Sequence, residues 1–138
     1  METILAPLPL GTSDFSALRK SGQIYVDKTR LIYTLASKRQ KFFLSRPRRF
    51  GKSLLLSTFE SLFKYGLRDF HGLEIESLWK DENTYQVIRL DFSNLKDFSS
   101  VEEFSELLDQ YLLDTLTVNR LVSPIKTDKE GLRAFIGW

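Results

Sequence analysis

A basic run before the middle of the chain has residue types and spacing suited to phosphate binding. Gly51, Lys52 and Ser53 stand together and follow three arginines. Backbone N–H groups of such a loop can face an anion, while a lysine reaches terminal phosphates and a serine hydroxyl ligates Mg²⁺. We therefore predict a site for phosphate groups and Mg²⁺, with Ser53 as the metal ligand. Its candidate residues are Arg46, Pro47, Arg48, Arg49, Phe50, Gly51, Lys52, Ser53 and Leu54.

The elements on either side of this loop must position it. The apolar segment Phe42–Leu44 predicts a short strand before the loop, and an apolar period from Lys52 to about Gly66 predicts a helix after it. The buried side of that helix is expected to carry Leu55, Phe59, Leu62 and Phe63. Strand, loop, Gly-Lys-Ser and helix form the layout of a P-loop. The general pattern has glycine where Arg46 stands, so a basic loop before an ordinary helix is the alternative.

The nine residues 46–54, Arg-Pro-Arg-Arg-Phe-Gly-Lys-Ser-Leu, resemble the P-loop of the AAA-ATPase-like family, whose members often carry a PD-(D/E)XK nuclease-like domain. In that family the first glycine is commonly absent. Residues 10–15 and the Tyr-Val-Asp-Lys-Thr element at 25–29 resemble its N-terminal signature. For this element we favour a structural role, in which Asp27 caps a helix and Tyr25 packs, over a position above the nucleotide base.

The resemblance implies an α/β fold, a partial P-loop NTPase (AAA-like) domain with parallel strands and flanking helices. It covers about residues 8–120, and residues 121–138 read as an irregular tail. The chain, residues 1–138, resembles the N-terminal portion of such a domain and lacks the family's later strands. Parallel strands with open edges invite association, so a protein partner or self-association that completes the sheet is expected.

A second predicted strand, Tyr85–Phe92, contains Asp91 near its end. An apolar strand ending in aspartate is typical of a Walker B, which holds Mg²⁺. Arg89 interrupts the apolar run, and the resemblance aligns this strand with one that precedes the family's Walker B. We therefore predict that Asp91 bonds the following turn. Without Walker B acids the chain is expected to bind ATP but to hydrolyse it weakly or not at all, so its being an enzyme stays open.

The charge is divided unevenly along the chain. Residues 1–69 hold 13 Lys/Arg against 5 Asp/Glu, whereas residues 70–138 hold 7 against 13. Seven basic residues and no acid lie from Lys38 to Lys52. A nucleic-acid clamp is therefore an alternative function, as is a fragment that binds nothing well. Few aromatic residues suited to stacking stand beside the run, and Phe50 is expected to pack under the loop.

Other features set broad limits. The 138 residues suit one domain or part of one, and 42% apolar content supports a core. The sequence contains no cysteine, a membrane span or signal peptide is not predicted, and a cytoplasmic location is expected. Helices are predicted after Asp14 and Asp27, and after a capping box of Ser100 and Glu103. His71 is the single histidine and is not expected to bind metal.

Overall fold

The structure is a computed structural model that describes residues 6–38 and 40–120, without the side chain of Asn94. Short 3₁₀ turns span Gly66–Asp69 and Phe92–Asn94. The chain divides into two compact units, residues 1–87 and 88–138. The predicted irregular tail, residues 121–138, lies outside the described residues. The α-helices are α1 (Phe15–Lys20), α2 (Thr29–Ser37), α3 (Lys52–Tyr65), α4 (Ile75–Leu78) and α5 (Val101–Val118).

The predicted α/β fold with parallel strands is wrong for the part of the chain that the structure describes. Neither Phe42–Leu44 nor Tyr85–Phe92 forms a strand, and no sheet is present in residues 6–38 and 40–120. A strand requires a neighbouring segment to exchange backbone hydrogen bonds, and an apolar run alone does not supply one. Phe43 is instead 94% exposed. Because the described residues form no sheet, the expectation of a partner that completes a sheet is no longer supported.

The first unit is held together by a small aromatic and aliphatic core. Phe15 of α1 is fully buried. The centroid of its ring lies 4.7 Å from the ring centroid of Phe70 and 5.2 Å from that of Tyr25. Such ring pairs add to the hydrophobic gain of burying large apolar surfaces. The core thus joins α1, α2, α3 and the segment that follows α3. Its buried members are Phe15, Ile32, Leu62, Phe70, Leu73, Ile75 and Trp79.

The predicted helix starts after Asp14 and Asp27 are confirmed, except that Lys28 stands between Asp27 and the first residue of α2. The Asp14 carboxylate accepts a hydrogen bond from the Ala17 amide at 2.7 Å and so caps α1. Asp27 stands two residues before Thr29, the first residue of α2, and accepts from the Thr29 amide at 2.8 Å. Side-chain caps therefore fix the two N-termini, because they satisfy amides that have no partner within the helix.

Helix α3 begins at Lys52 as predicted and ends at Tyr65, with Gly66 as its C-cap at a φ of 63°. Only Leu62 of the predicted apolar stripe is fully buried, whereas Leu55, Phe59 and Phe63 are half-buried against the core. The other buried positions on this helix are small and polar: Ser57, Thr58 and Ser61. Their hydroxyls bond neighbouring backbone or side chains, so α1 can pack closely there.

The second unit contains α5. Ser100 accepts from the Glu103 amide at 3.1 Å, which confirms the predicted N-cap. The Glu103 carboxylate accepts from the Ser99 amide at 2.8 Å, one residue before the Ser100 amide that the predicted capping box would use. Tyr111 lies on the half-buried stripe of this helix, and its hydroxyl accepts from the Asp91 amide at 2.8 Å. The helix therefore anchors the segment that contains Asp91. None of the described helices combines the length and apolar content needed to cross a bilayer.

Candidate phosphate-binding loop

The nine predicted site residues form one continuous segment at the start of α3. Residues 46–53 are exposed, and Leu54 is half-buried against the core of the first unit. Leu54 therefore anchors the C-terminal end of the loop while the polar part faces solvent. Phe50 is 65% exposed, so the expectation that it packs under the loop is wrong. The exposed residues are Arg46, Pro47, Arg48, Arg49, Phe50, Gly51, Lys52 and Ser53.

The backbone of the loop curls back on itself before the helix. Arg49 has a φ of 66° and Gly51 a φ of 75°, both in the left-handed region. For a residue with a side chain, as at Arg49, this conformation costs about 1–2 kcal/mol. Turns that alternate in this way point successive N–H groups to one side and make anion-binding concavities. Nothing lies within 4 Å of the position that a Gly51 Cβ would take, so the space beside that glycine is open.

Lys52 closes the loop through its side chain. Its Nζ donates a hydrogen bond to the Arg46 carbonyl at 2.6 Å, across six residues. This contact links the two ends of the loop. In the described part of the chain, no carboxylate lies within salt-bridge distance of Lys52 or the loop arginines. The loop thus concentrates positive charge and has no counter-ion among the residues that the structure describes.

The N-terminal signature has the structural role that we favoured. Burial raises the pKa of Tyr25, whose ring packs edge-on against Phe15. The second oxygen of Asp27 accepts from the Glu74 amide at 2.7 Å, and Thr29 Oγ1 accepts from the Ile75 amide at 3.1 Å. Although burial opposes it, hydrogen bonds from the Thr29 hydroxyl and from the Glu74 and Thr29 amides hold the pKa of Asp27 below its usual value. The signature therefore ties the start of α2 to the start of α4.

Asp91 bonds the turn that follows it, as predicted. Its carboxylate accepts from the Ser93 amide at 2.9 Å, and this bond lowers the pKa of Asp91. The residue belongs to the second unit, whereas Ser53 belongs to the first. No group of three or more metal-ligating side chains occurs in residues 6–38 and 40–120. His71 is exposed, and its Nδ1 lies 2.9 Å from Glu76 Oε1.

A buried carboxylate that the sequence did not single out organises the first unit. Arg68 approaches Asp69 with two nitrogens, at 2.9 and 3.0 Å, and Ser61 donates at 2.7 Å. Ser16 of α1 donates to the same carboxylate. The hydrogen bonds from Arg68 contribute most, and those from Ser16 and Ser61 add to them. Together they hold the pKa of Asp69 well below its usual range. An isolated Arg-Asp pair after a glycine gives no sequence signal of burial.

Comparison with known proteins places these features in a family. The sequence model of the family described as "Predicted AAA-ATPase" matches residues 9–131, and the chain belongs to that family. A protein from Azotobacter chroococcum mcd 1, named "Uncharacterized protein in vnfD 5'region", is 33% identical over 131 residues. The match covers 94% of this chain but 24% of the relative, so the chain spans about a quarter of that protein's length. No solved structure matches the chain.

Proposed function

We propose that residues 46–53 bind the phosphates of ATP together with Mg²⁺. The observation that carries this proposal is the closed loop, in which Lys52 bonds the Arg46 carbonyl at 2.6 Å while the loop cations have no carboxylate partner in the described residues. Membership of the predicted AAA-ATPase family supports it. A triphosphate supplies the anionic oxygens that this arrangement lacks.

The start of α3 adds to the attraction for phosphate. This helix has 14 residues, and Gly51 precedes it without a side-chain cap. The first amides of a helix have no partner within the helix, and the N-terminus carries partial positive charge. A phosphate oxygen placed there accepts from those amides. Lys52 then exchanges the neutral Arg46 carbonyl for an anionic oxygen, a charge-assisted and stronger hydrogen bond.

The residues fit Mg²⁺ when the metal arrives with the nucleotide. Ser53 is exposed next to Lys52, and its hydroxyl is the proposed protein ligand, with the remaining positions taken by phosphate oxygens and water. Arg48 and Arg49 offer further positive charge toward the phosphates. Bound Mg²⁺ would neutralise part of the phosphate charge. In this proposal the loop binds and orients the nucleotide.

The test is the binding of a fluorescent ATP analogue to Lys52→Ala. Removing the ammonium group is expected to weaken binding in the presence of Mg²⁺ by about tenfold or more, because a charge-assisted hydrogen bond contributes about 1.5–3 kcal/mol. Lys41→Ala is the matched control, since Lys41 is also exposed and basic but precedes the loop. Equal affinities for wild type and Lys52→Ala, with unchanged circular dichroism, would reject the phosphate site.

A second candidate, single-stranded nucleic acid, is favoured by the exposure of aromatic rings beside the basic run. Phe43 is 94% exposed, Phe50 65% and Phe42 52%. Proteins that bind single strands combine such rings, on which bases stack, with cations that follow the phosphates. Affinity for an oligonucleotide would fall steeply with added salt and would be weakened by Lys41→Ala. Mg-ATP binding would instead depend on Mg²⁺ and on Lys52.

A further inference from the structure

A cavity of about 520 Å³ opens on the surface of the first unit. Cavities that bind small molecules usually have volumes of about 300–1,000 Å³, largely apolar walls and a few polar groups. This cavity has the size and the aromatic walls of such a site, and two residues of opposite charge also line it. The side chains that matter for its chemistry are Tyr33, Phe63, Trp79, Lys80, Asp81 and Tyr85.

The aromatic wall of the cavity is fixed by contacts among its own residues. The Phe63 ring stands edge-on to Trp79, with centroids 6.0 Å apart, and edge-on to Tyr85 at 5.8 Å. The Tyr85 amide donates to the Phe63 carbonyl at 2.7 Å. Aromatic rings pair favourably with further rings in edge-on or offset geometry, so this wall suits a flat aromatic ligand.

The two charged residues of the cavity differ in what they already bind. The Asp81 carboxylate accepts from the Asn83 amide at 3.0 Å, from the Asn83 side chain at 2.7 Å and from the Tyr85 hydroxyl at 2.6 Å. Lys80 is exposed and forms no ion pair or hydrogen bond with the residues that the structure describes. An anionic group on a ligand would therefore find an ammonium group that is not already paired in the described part of the chain, and the flexible lysine stem can bring that group to the ligand.

We propose that this cavity binds a small, planar aromatic carboxylate. Its ring packs against the wall that Phe63 and Tyr85 form, and its carboxylate pairs with the Lys80 ammonium group. The site is separate from the proposed ATP site, because Lys52 and Phe63 are eleven residues apart on α3, which corresponds to about 16 Å along the helix axis. Binding in the cavity should therefore be unaffected by Lys52→Ala, so the two proposals fail or succeed separately.

Three naphthalene derivatives of nearly the same shape test the sign of the charge that the cavity prefers. At neutral pH, 2-naphthoate is anionic, 2-naphthamide is uncharged and 2-(aminomethyl)naphthalene is cationic. Isothermal titration calorimetry at low salt would measure the affinity of each probe. We expect 2-naphthoate to bind in a saturable way and about fivefold more tightly than 2-naphthamide, the upper end for pairing with an exposed lysine, and the cation to bind most weakly. Added salt should reduce this preference.

Variants locate the binding in this cavity. Lys80→Met keeps a long apolar side chain but removes the charge, so it should bind 2-naphthoate and 2-naphthamide equally. Lys20→Met is the matched control, because Lys20 is also exposed but does not line the cavity, and it should keep the preference of wild type. Ala36 lines the cavity from α2, so Ala36→Phe should fill the space and abolish the binding of both probes.

Several results would overturn the proposal. They are no saturable binding of 2-naphthoate, equal affinity of wild type for the anionic and uncharged probes, or a preference for the anion that survives in Lys80→Met. Tightest binding of the cationic probe would assign the preference to Asp81 and would overturn it as well. Lys80→Met alters an exposed side chain, so it still decides the question if Ala36→Phe does not fold.

Discussion

Two places in the first unit gather hydrogen-bond donors around helix α3, and they differ in whether the chain itself supplies the anion. Around Asp69, Arg68 and the hydroxyls of Ser16 and Ser61 surround a carboxylate that is only 8% exposed. In the loop of residues 46–53, the donors and cations are exposed and pair with no carboxylate among the described residues. One set of donors is satisfied internally, and the other can accept an anion from outside.

Because of this difference, we expect the donors around Asp69 to matter for stability and the donors of the loop to matter for binding. A buried charge is tolerated only when its partners replace the water that it has lost, so separating Asp69 from its donors is expected to destabilise the folded unit. Exposed cations are hydrated and contribute little to folding. Changes near Asp69 should therefore alter stability, and changes in the loop should alter binding.

The largest effect is expected from Asp69→Asn. The change removes the charge that Arg68 pairs with and places an amide among donors that need an acceptor. Breaking a buried ion pair costs about 3–5 kcal/mol, and because Arg68 is itself partly exposed we expect about 2–4 kcal/mol. Urea unfolding followed by circular dichroism would measure it. Lys52→Ala, examined in the same way, should have nearly wild-type stability.

Glu76→Gln is the matched control for that experiment. Hydrogen bonds from the Gly72 amide and from His71 also hold the pKa of Glu76 below its usual value, but this carboxylate is at the surface. Its unfolding midpoint should stay close to that of wild type. If Asp69→Asn were as mild as Glu76→Gln, the contrast between a buried and an exposed set of donors would not hold.

The pH dependence of stability should separate the same variants with a smaller effect. Because the pKa of Asp69 is lower in the folded than in the unfolded chain, its contribution is fully present above the unfolded value of about 4. That contribution is lost as the pH falls below this value toward the folded pKa. The stability difference between wild type and Asp69→Asn should therefore be constant from about pH 5 to 7 and shrink below about pH 4. A difference that grew on acidification would have the wrong sign.

The sequence was sufficient for features that depend on neighbouring residues. The helix ends next to Asp14, Gly66 and Ser100 were predicted because caps act within a few residues. The start of α3 at Lys52, directly after the basic loop, was likewise predicted from local spacing. Phe42–Leu44 was mispredicted because a strand depends on a distant neighbour that an apolar run does not reveal. The exposure of Phe50 also depends on what surrounds it.

The buried polar features could not be predicted for a related reason. Ser61 on α3 and Ser16 on α1 are 45 positions apart, and both bond Asp69. Each serine would ordinarily be assigned to the solvent side of its helix. The burial of Ser61 and the partial burial of Ser16 follow from the close packing of α1 on α3 and the carboxylate between them. Trp79 Nε1, which has no hydrogen-bond partner among the described residues, likewise gives no signal in the sequence.

A smaller effect, this time on binding, is expected from Arg48→Ala combined with Arg49→Ala. If these guanidinium groups face the phosphates, the double variant should lose several-fold affinity for ATP and less for AMP, since a longer phosphate chain offers more charge. Competition against a fluorescent ATP analogue would measure both. Lys38→Ala with Lys41→Ala removes the same charge outside the loop and is the control. Equal losses for ATP and AMP would indicate general surface charge.

No effect is expected from Asp91→Asn, which tests whether a carboxylate outside the loop completes the site. Asp91 Oδ1 accepts from the Ser93 amide, and an asparagine oxygen can keep that bond, so the turn Phe92–Asn94 should be retained. We expect the 138-residue chain to release phosphate from Mg-ATP at the background rate with or without this change, because positioning by Lys52 and Ser53 leaves the attacking water without an orienting group. Such groups contribute a thousandfold or more to rate, on the order of several kcal/mol.

Turnover by wild type that disappears in Asp91→Asn would make Asp91 a metal-holding carboxylate. Turnover that survives this change but disappears in Lys52→Ala would keep the loop as the site and assign the chemistry to another acid.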